Sequence, residues 1–144
     1  MKIRSDSVGQ TEEMAARFVE EVNPLLGEAL VVGLYGDLGS GKTAFVQGAA
    51  RAFGIKQKVT SPTFVIMKSF KLQASRFKFF IHIDAYRLEK ESELTHLGWQ
   101  EIAADPGNII FLEWPEKVQG ILPQAIKKIR FAFIDETTRE IEID

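Results

Sequence analysis

Cysteine is absent from this chain of 144 residues, which excludes disulfides, a thiolate nucleophile and cysteine-based zinc sites, and suits a reducing compartment. Only 2 histidines occur, His82 and His96. Both are too isolated for a metal set or a Ser-His-Asp arrangement, so neither is given a role. There is no basic excess either: 18 Lys and Arg stand against 20 Asp and Glu, for a net charge of -2. Holding a nucleic acid backbone by counterion release alone is therefore disfavoured, although a local patch stays open. The start, Met1-Lys2-Ile3-Arg4-Ser5-Asp6, lacks the apolar stretch of a signal peptide, and no later run is long enough to cross a bilayer. A cytoplasmic protein with no membrane partner is the expectation. The length suits a single domain over residues 1–144, without room for a second, substrate-holding domain.

What is present is organised around Gly36-Asp37-Leu38-Gly39-Ser40-Gly41-Lys42-Thr43, a full match to G-x-x-x-x-G-K-S/T. Before it, Leu30 to Tyr35 is a short apolar run suited to a buried strand. After it, Thr43 to Phe53 reads as a helix closed by Gly54. Strand, loop and helix come in the order a phosphate-binding loop requires. Its glycines let backbone N–H groups turn inward and let phosphate oxygens approach. Lys42 reaches toward the β- and γ-phosphates, the Thr43 hydroxyl suits Mg²⁺, and the helix N-terminus adds partial positive charge. A nucleoside triphosphate with Mg²⁺ is the expected ligand; the alternative is a chance glycine-rich turn before an amphipathic helix.

Elsewhere, Ser7-Val8-Gly9-Gln10 fits a capping box ahead of apolar positions Met14, Phe18 and Val22, predicting a helix that ends near Asn23-Pro24. Thr11 on that helix is a candidate for the nucleotide base. Thr60-Ser61-Pro62-Thr63 is hydroxyl-rich and pinned by proline, and is readable as a switch-like loop facing the γ-phosphate or as a plain turn. The stretches from Thr63 to Leu72 and from Arg76 to Asp84, around Gln73-Ala74-Ser75, predict an antiparallel hairpin. Its interleaved bases and phenylalanines fit either single-stranded RNA stacking or a core.

Two apolar strands end in acids. Phe79 to Asp84 and Asn108 to Glu113 place Asp84 and Glu113 as candidate Mg²⁺-holding carboxylates, each of which can instead cap a loop. Between them, Leu94 to Ala104 predicts one or two short helices. Arg87 suits phosphate, a partner or a salt bridge into Glu89-Lys90-Glu91-Ser92-Glu93. The segments Ile126 to Ile134 and Arg139 to Ile143 predict a terminal hairpin, with Arg139 either near the nucleotide or a surface charge. The expected fold is α/β, a P-loop NTPase-like mixed sheet flanked by helices with antiparallel hairpins. The guanine-reading N-K-x-D and the Asp-x-x-Gly switch are missing, which favours ATP over GTP. An acceptor pocket and lid, as a small-molecule kinase needs, have little spare length.

Gly36 to Thr43, Ser61-Pro62-Thr63-Phe64, Asp84-Ala85-Tyr86-Arg87-Leu88 and Glu113-Trp114-Pro115-Glu116 resemble, in order and spacing, the segments that mark the TsaE (YjeE) proteins of bacterial threonylcarbamoyladenosine synthesis. The likeness runs from about Ser7 to Arg139. Ala44 departs from it, where a second hydroxyl residue is common, and a longer C-terminal tail of some relatives is expected to be absent. The resemblance implies a small Mg²⁺-dependent ATPase working with a TsaB–TsaD pair, bound near the TsaD active site and touching tRNA only through that complex. TsaD would transfer the threonylcarbamoyl group to the anticodon-adjacent adenosine, and ATP hydrolysis here would permit repeated rounds. Leu38, Gly39, Ser40, Gly41, Lys42 and Thr43 would hold phosphates, Thr43, Glu113 and Asp84 the metal, and Trp114 would lie at the nucleotide; Thr60 to Thr63 would act as the switch. Lys42, Asp84 and Glu113 are the expected catalytic set. A P-loop kinase of a small acceptor and a nucleotide-gated binding module are the competing expectations.

Overall fold

The computed structural model describes residues 1–57, 59 and 66–144. Their elements run β1 (Lys2–Ser5), α1 (Val8–Glu21), β2 (Leu30–Tyr35), α2 (Lys42–Ala52), β3 (Met67–Lys71), β4 (Phe79–Asp84), α3 (Glu91–His96), α4 (Trp99–Ala104), β5 (Asn108–Glu113), a 3-10 helix (Pro115–Ile121), β6 (Lys127–Phe133) and β7 (Arg139–Ile143). The strands form one sheet in the order β1-β7-β6-β2-β5-β4-β3. Its middle is parallel, β2 lying between β6 and β5 and β5 beside β4. Antiparallel pairs close both sides, β3 on β4 and β7 on β6 and β1. This is the mixed α/β sheet with hairpins that the residue pattern predicts.

The central strands are covered on both faces, which is why they read as unbroken apolar runs. All six residues of β5 are buried. On one face α1 and α2 bury Phe18, Phe45, Ala49 and Val46 against Val32, Leu34, Phe80 and Phe111. Aromatic edges tie this layer together: Phe18 meets Phe45 at 5.8 Å and Phe111 at 6.5 Å, and Phe80 stacks on Phe111 at 5.0 Å. On the other face α3, α4 and the 3-10 helix bury Leu94, Trp99 and Val118 against Val31, Ile83, Ile110 and Leu112.

Local chemistry sets most boundaries within a residue or two. Ser7 caps α1, its hydroxyl accepting from Gln10 N at 3.1 Å. The reciprocal bond differs from a strict capping box, since Gln10 Oε1 accepts from Asp6 N at 2.7 Å. The predicted hairpin is present, with strands shorter than the apolar stretches, and the part of it before Ile66 lies outside the described residues. Phe77 and Phe80 are buried, and Phe80 meets Phe53 and Phe70 edge-on. Those rings are core. Arg76 stays exposed and is tied to the end of α1, donating to Asn23 Oδ1 and to the Val19 carbonyl. One strand goes unpredicted: β1 is four residues with charges around Ile3, a short edge strand without a usable apolar pattern.

Helix α1 crosses α2 at Gly48, where a Cβ would stand 2.7 Å from both the Cα and the carbonyl oxygen of Glu12. Two effects oppose each other at that position. Alanine would favour the helix by about 0.5–1 kcal/mol, whereas forcing the helices apart costs about 1–3 kcal/mol. Gly48→Ala is therefore expected to lower the unfolding free energy in urea titrations. A variant more stable than wild type would contradict the close crossing.

Candidate functional site

The loop after β2 bends back under α2 through positions closed to other side chains. At Gly36, with φ 150°, a Cβ would lie 2.7 Å from the Phe131 carbonyl oxygen and 2.7 Å from Ser40 Oγ. Gly41, with φ 105°, is the N-cap of α2 and has no side chain to cap it. The first turn of α2 therefore presents backbone donors and a partial positive charge, the arrangement that attracts an anion. Ser40 Oγ is buried with no partner among the described residues. Arg139 braces this loop from the terminal hairpin, its Nε donating to the Gly39 carbonyl at 3.1 Å. The same guanidinium donates to the carbonyls of Asp135 and Thr138 and lies 4.7 Å from the Phe133 ring.

Opposite the loop, parallel register sets Asp84 at the end of β4 beside Glu113 at the end of β5. A cleft of about 320 Å³ joins them, taking in Leu38 to Ala44 on one side and Asp84, Tyr86, Glu113 and Trp114 on the other. Larger hollows of about 580 and 590 Å³ lie along Gly54 to Gln57, but among the described residues no carboxylate lines either. Chemistry, not size, selects the smaller cleft. It opens at the carboxyl ends of β2, β4 and β5, where open α/β sheets bind ligands.

Lys42 is 4% exposed. Its ammonium donates to the Gly36 carbonyl and sits 3.7 Å from the centre of the Trp114 ring. Burial pushes its pKa down, while Glu113, Glu116, Asp84 and Asp37 pull it back up. Trp114 reaches this place with φ 60° and ψ 52°, a left-handed backbone unusual for a bulky side chain and costing about 1–3 kcal/mol. The Tyr86 ring packs 5.1 Å from it. For Asp84, burial raises the carboxyl above its ordinary range; Glu113 adds to this, and the bond from Tyr86 N works against it.

The donor set suits a hard cation. Asp84 and Glu113 offer carboxylates and Thr43 a hydroxyl within one cleft. Among the described residues no group of three or more His, Cys, Asp and Glu is arranged to hold a metal ion by itself. An all-protein cage is thus not built; one or two carboxylates completed by ligand oxygens and water is the way Mg²⁺ is usually held.

Of the residues singled out in the sequence, Leu38, Gly39, Ser40, Gly41, Lys42, Thr43, Asp84, Glu113 and Trp114 all line this cleft. Arg139 contacts the loop's backbone and is not among the lining residues. Thr11 is not brought to it: its hydroxyl is buried and shares a 2.7 Å hydrogen bond with Ser5 Oγ, tying α1 to β1. Thr60, Ser61, Pro62 and Thr63 lie outside the described residues. Arg87 is exposed, and among the described residues no ion pair joins it to the neighbouring acids. His82, given no role from sequence, proves to be buried against Glu113 at 2.6 Å. Its i, i+2 spacing from Asp84 put both on one face of β4, but only the register with β5 brings Glu113 alongside.

Because the folded chain holds the Asp84 proton to a higher pH than the unfolded one, stability falls as pH rises from the ordinary carboxylate range through the raised value. Asp84→Asn removes that loss. In EDTA the variant is expected to melt above wild type at neutral pH, with the difference closing below the carboxylate range. Equal melting temperatures at neutral pH would refute a half-buried, disfavoured Asp84 charge.

Comparison with known proteins agrees with the geometry. Residues 5–141 match the family model described as Threonylcarbamoyl adenosine biosynthesis protein TsaE. The chain is 33% identical over 136 residues to the tRNA threonylcarbamoyladenosine biosynthesis protein TsaE of Treponema pallidum, covering 94% of this chain and 97% of that protein. With the protein of the same description from Haemophilus influenzae, identity is 34% over 116 residues, 81% of this chain and 70% of that one. The crystal structure of Bacillus subtilis YdiB superposes with a TM-score of 0.78 at 27% identity, covering 99% of this chain and 83% of that chain. The chain belongs to the TsaE family of tRNA threonylcarbamoyladenosine biosynthesis.

Proposed function

We propose that the chain is the Mg²⁺-dependent, ATP-binding and ATP-hydrolysing member of that system, acting in the cytoplasm with a TsaB–TsaD pair to permit repeated rounds of modification. The observation that carries this reading is the meeting of Lys42, Thr43, Asp84 and Glu113 in one cleft at the strand ends. In it the backbone donors of Gly39 to Thr43 and the Lys42 ammonium bind the β- and γ-phosphates. Thr43, Glu113 and Asp84 hold Mg²⁺, which when bound offsets charge on the phosphate oxygens. Trp114 closes one side of the nucleotide, and its ring gives up Lys42 to the phosphates. Ejected water strengthens each of these attractions.

The cleft's own inventory supports the reading that a partner takes part. Its lining contains no arginine and no glutamine among the described residues. Arg139, which contacts the loop, is engaged with the carbonyls of Gly39 and Asp135. Phosphoryl transfer depends on positioning and charge stabilisation, so the groups that orient water and neutralise the transition state come from the partner complex. tRNA is reached through that complex, consistent with the net charge of -2. Among the described residues no helix is long and apolar enough to cross a membrane.

Phosphate release from ATP with Mg²⁺, measured for the chain alone and with a TsaB–TsaD pair, tests the proposal. Slow turnover alone and stimulation on the order of 10-fold or more are expected, with little turnover of GTP. Lys42→Ala is expected to lower the stimulated rate by about 10²-fold, and Glu113→Ala to weaken its Mg²⁺ dependence. Unstimulated turnover, or wild-type rates in Lys42→Ala, would remove the basis of the assignment.

A further inference from the structure

We infer that His82 is a positioning residue for Glu113: through Nε2–H it holds one carboxylate oxygen and leaves the other for the cleft. The cation-holding role of Glu113 rests on the function proposed above; the hydrogen bond itself does not. His82 Nε2 and Glu113 Oε2 are 2.6 Å apart, with side-chain exposures of 0% and 3%. Neither side chain has water as a substitute partner. The strand geometry explains the meeting. Residues 82 and 84 share a face of β4, and Glu113, in register with Asp84, reaches back along the sheet toward His82.

The proton's place follows from the remaining ring nitrogen. His82 Nδ1 is buried and has no partner among the described residues. If the ring proton were on Nδ1, a buried donor would be orphaned, the rarer and costlier kind of unsatisfied group. With the proton on Nε2, the ring donates to an ionised Glu113, which can only accept, and only a lone pair goes unused. The neutral Nε2–H tautomer satisfies both residues. A carboxylate sunk this far needs a hydrogen-bond donor, and the Lys42 ammonium is bonded instead to the Gly36 carbonyl and seated on Trp114. His82 supplies that donor from behind. Carboxylates that ligate metals are commonly oriented by such partners, whose loss costs about 10–100-fold in affinity or activity.

Two measurements on the full chain test this. Long-range proton–nitrogen NMR of the His82 ring, in EDTA and without nucleotide, is expected to show Nε2 protonated and Nδ1 bare. A protonated Nδ1 overturns the inference whatever the nucleotide data show. ATP affinity is then followed against Mg²⁺ concentration. His82→Leu is expected to raise the Mg²⁺ midpoint by about 10-fold or more, and His82→Gln, which keeps an N–H donor, by less than about 3-fold. The loss is expected in the Mg²⁺ dependence and not in the affinity in EDTA. Equal midpoints in wild type and His82→Leu, or equal losses in Leu and Gln, count against a hydrogen-bonding role. Melting curves identify an unfolded His82→Leu chain, in which case His82→Gln and the ring spectrum decide. Absence of Mg²⁺-dependent nucleotide binding in wild type would sink the proposed function, and the ring spectrum would still judge the His82–Glu113 bond.

Discussion

A lysine ammonium held almost out of water is the constraint on which the rest of this structure depends. Burying such a charge is costly unless it is compensated. Lys42 is compensated from three directions: the Gly36 carbonyl, the face of Trp114, and the longer-range field of Glu113, Glu116, Asp84 and Asp37. Each places a demand on the chain. Carbonyl approach requires Gly36, since a side chain there would run into Phe131 and Ser40. The indole reaches Lys42 only from a left-handed backbone at Trp114, and the following Pro115 opens a 3-10 helix that holds it. The carboxylate field requires two strand ends side by side. Burial then acts in opposite directions on the two kinds of charge, lowering Lys42 and raising Asp84 toward neutrality. A bound polyanion would be worth more here than at an exposed lysine, because the positive charge it meets is poorly solvated.

The two-faced core supplies the rigidity that this balance needs. Strands β4 and β5 are bonded in register over six residue pairs, from Phe79 and Asn108 to Asp84 and Glu113. Slipping by one residue would turn every inward side chain to the opposite face. It would also move Phe80 and Phe111 out of the layer they share with Phe18 and Phe45. The placement of the carboxylates is thus secured by aromatic packing well away from them. Past the strand ends, Ala85 N still bonds the Glu113 carbonyl at 3.0 Å, so the two acids leave the sheet together.

What could be read from sequence was local. The glycine spacing, the apolar runs ending in acids, the Ser7 cap and the two hairpins each depend on neighbours within a few positions, and each occurs in the fold. The missed features are contacts between elements distant in the chain. β1 pairs with β7 across nearly the whole sequence. Arg139 with Gly39 joins residues 100 apart. His82 with Glu113 needs the β4–β5 register, which periodicity cannot supply. The β3–β4 hairpin shows the converse: of a pattern that suits a stacking platform, Phe77 and Phe80 are drawn into the core, while Lys71, Arg76, Lys78 and Phe79 stay exposed.

Arg139 connects these strands of argument. The sheet brings the last strand beside the phosphate-loop side of the molecule, and the guanidinium spends its donors on the carbonyls of Gly39, Asp135 and Thr138. Those carbonyls are negative ends of peptide dipoles. The Arg139 bond satisfies the Gly39 carbonyl and fixes one point of the loop that lines the cleft. The same bonds commit this arginine to structure. A lysine, two carboxylates and the start of a helix meet in one cleft, an arrangement suited to binding an anion, while the arginine that contacts its loop serves the fold instead.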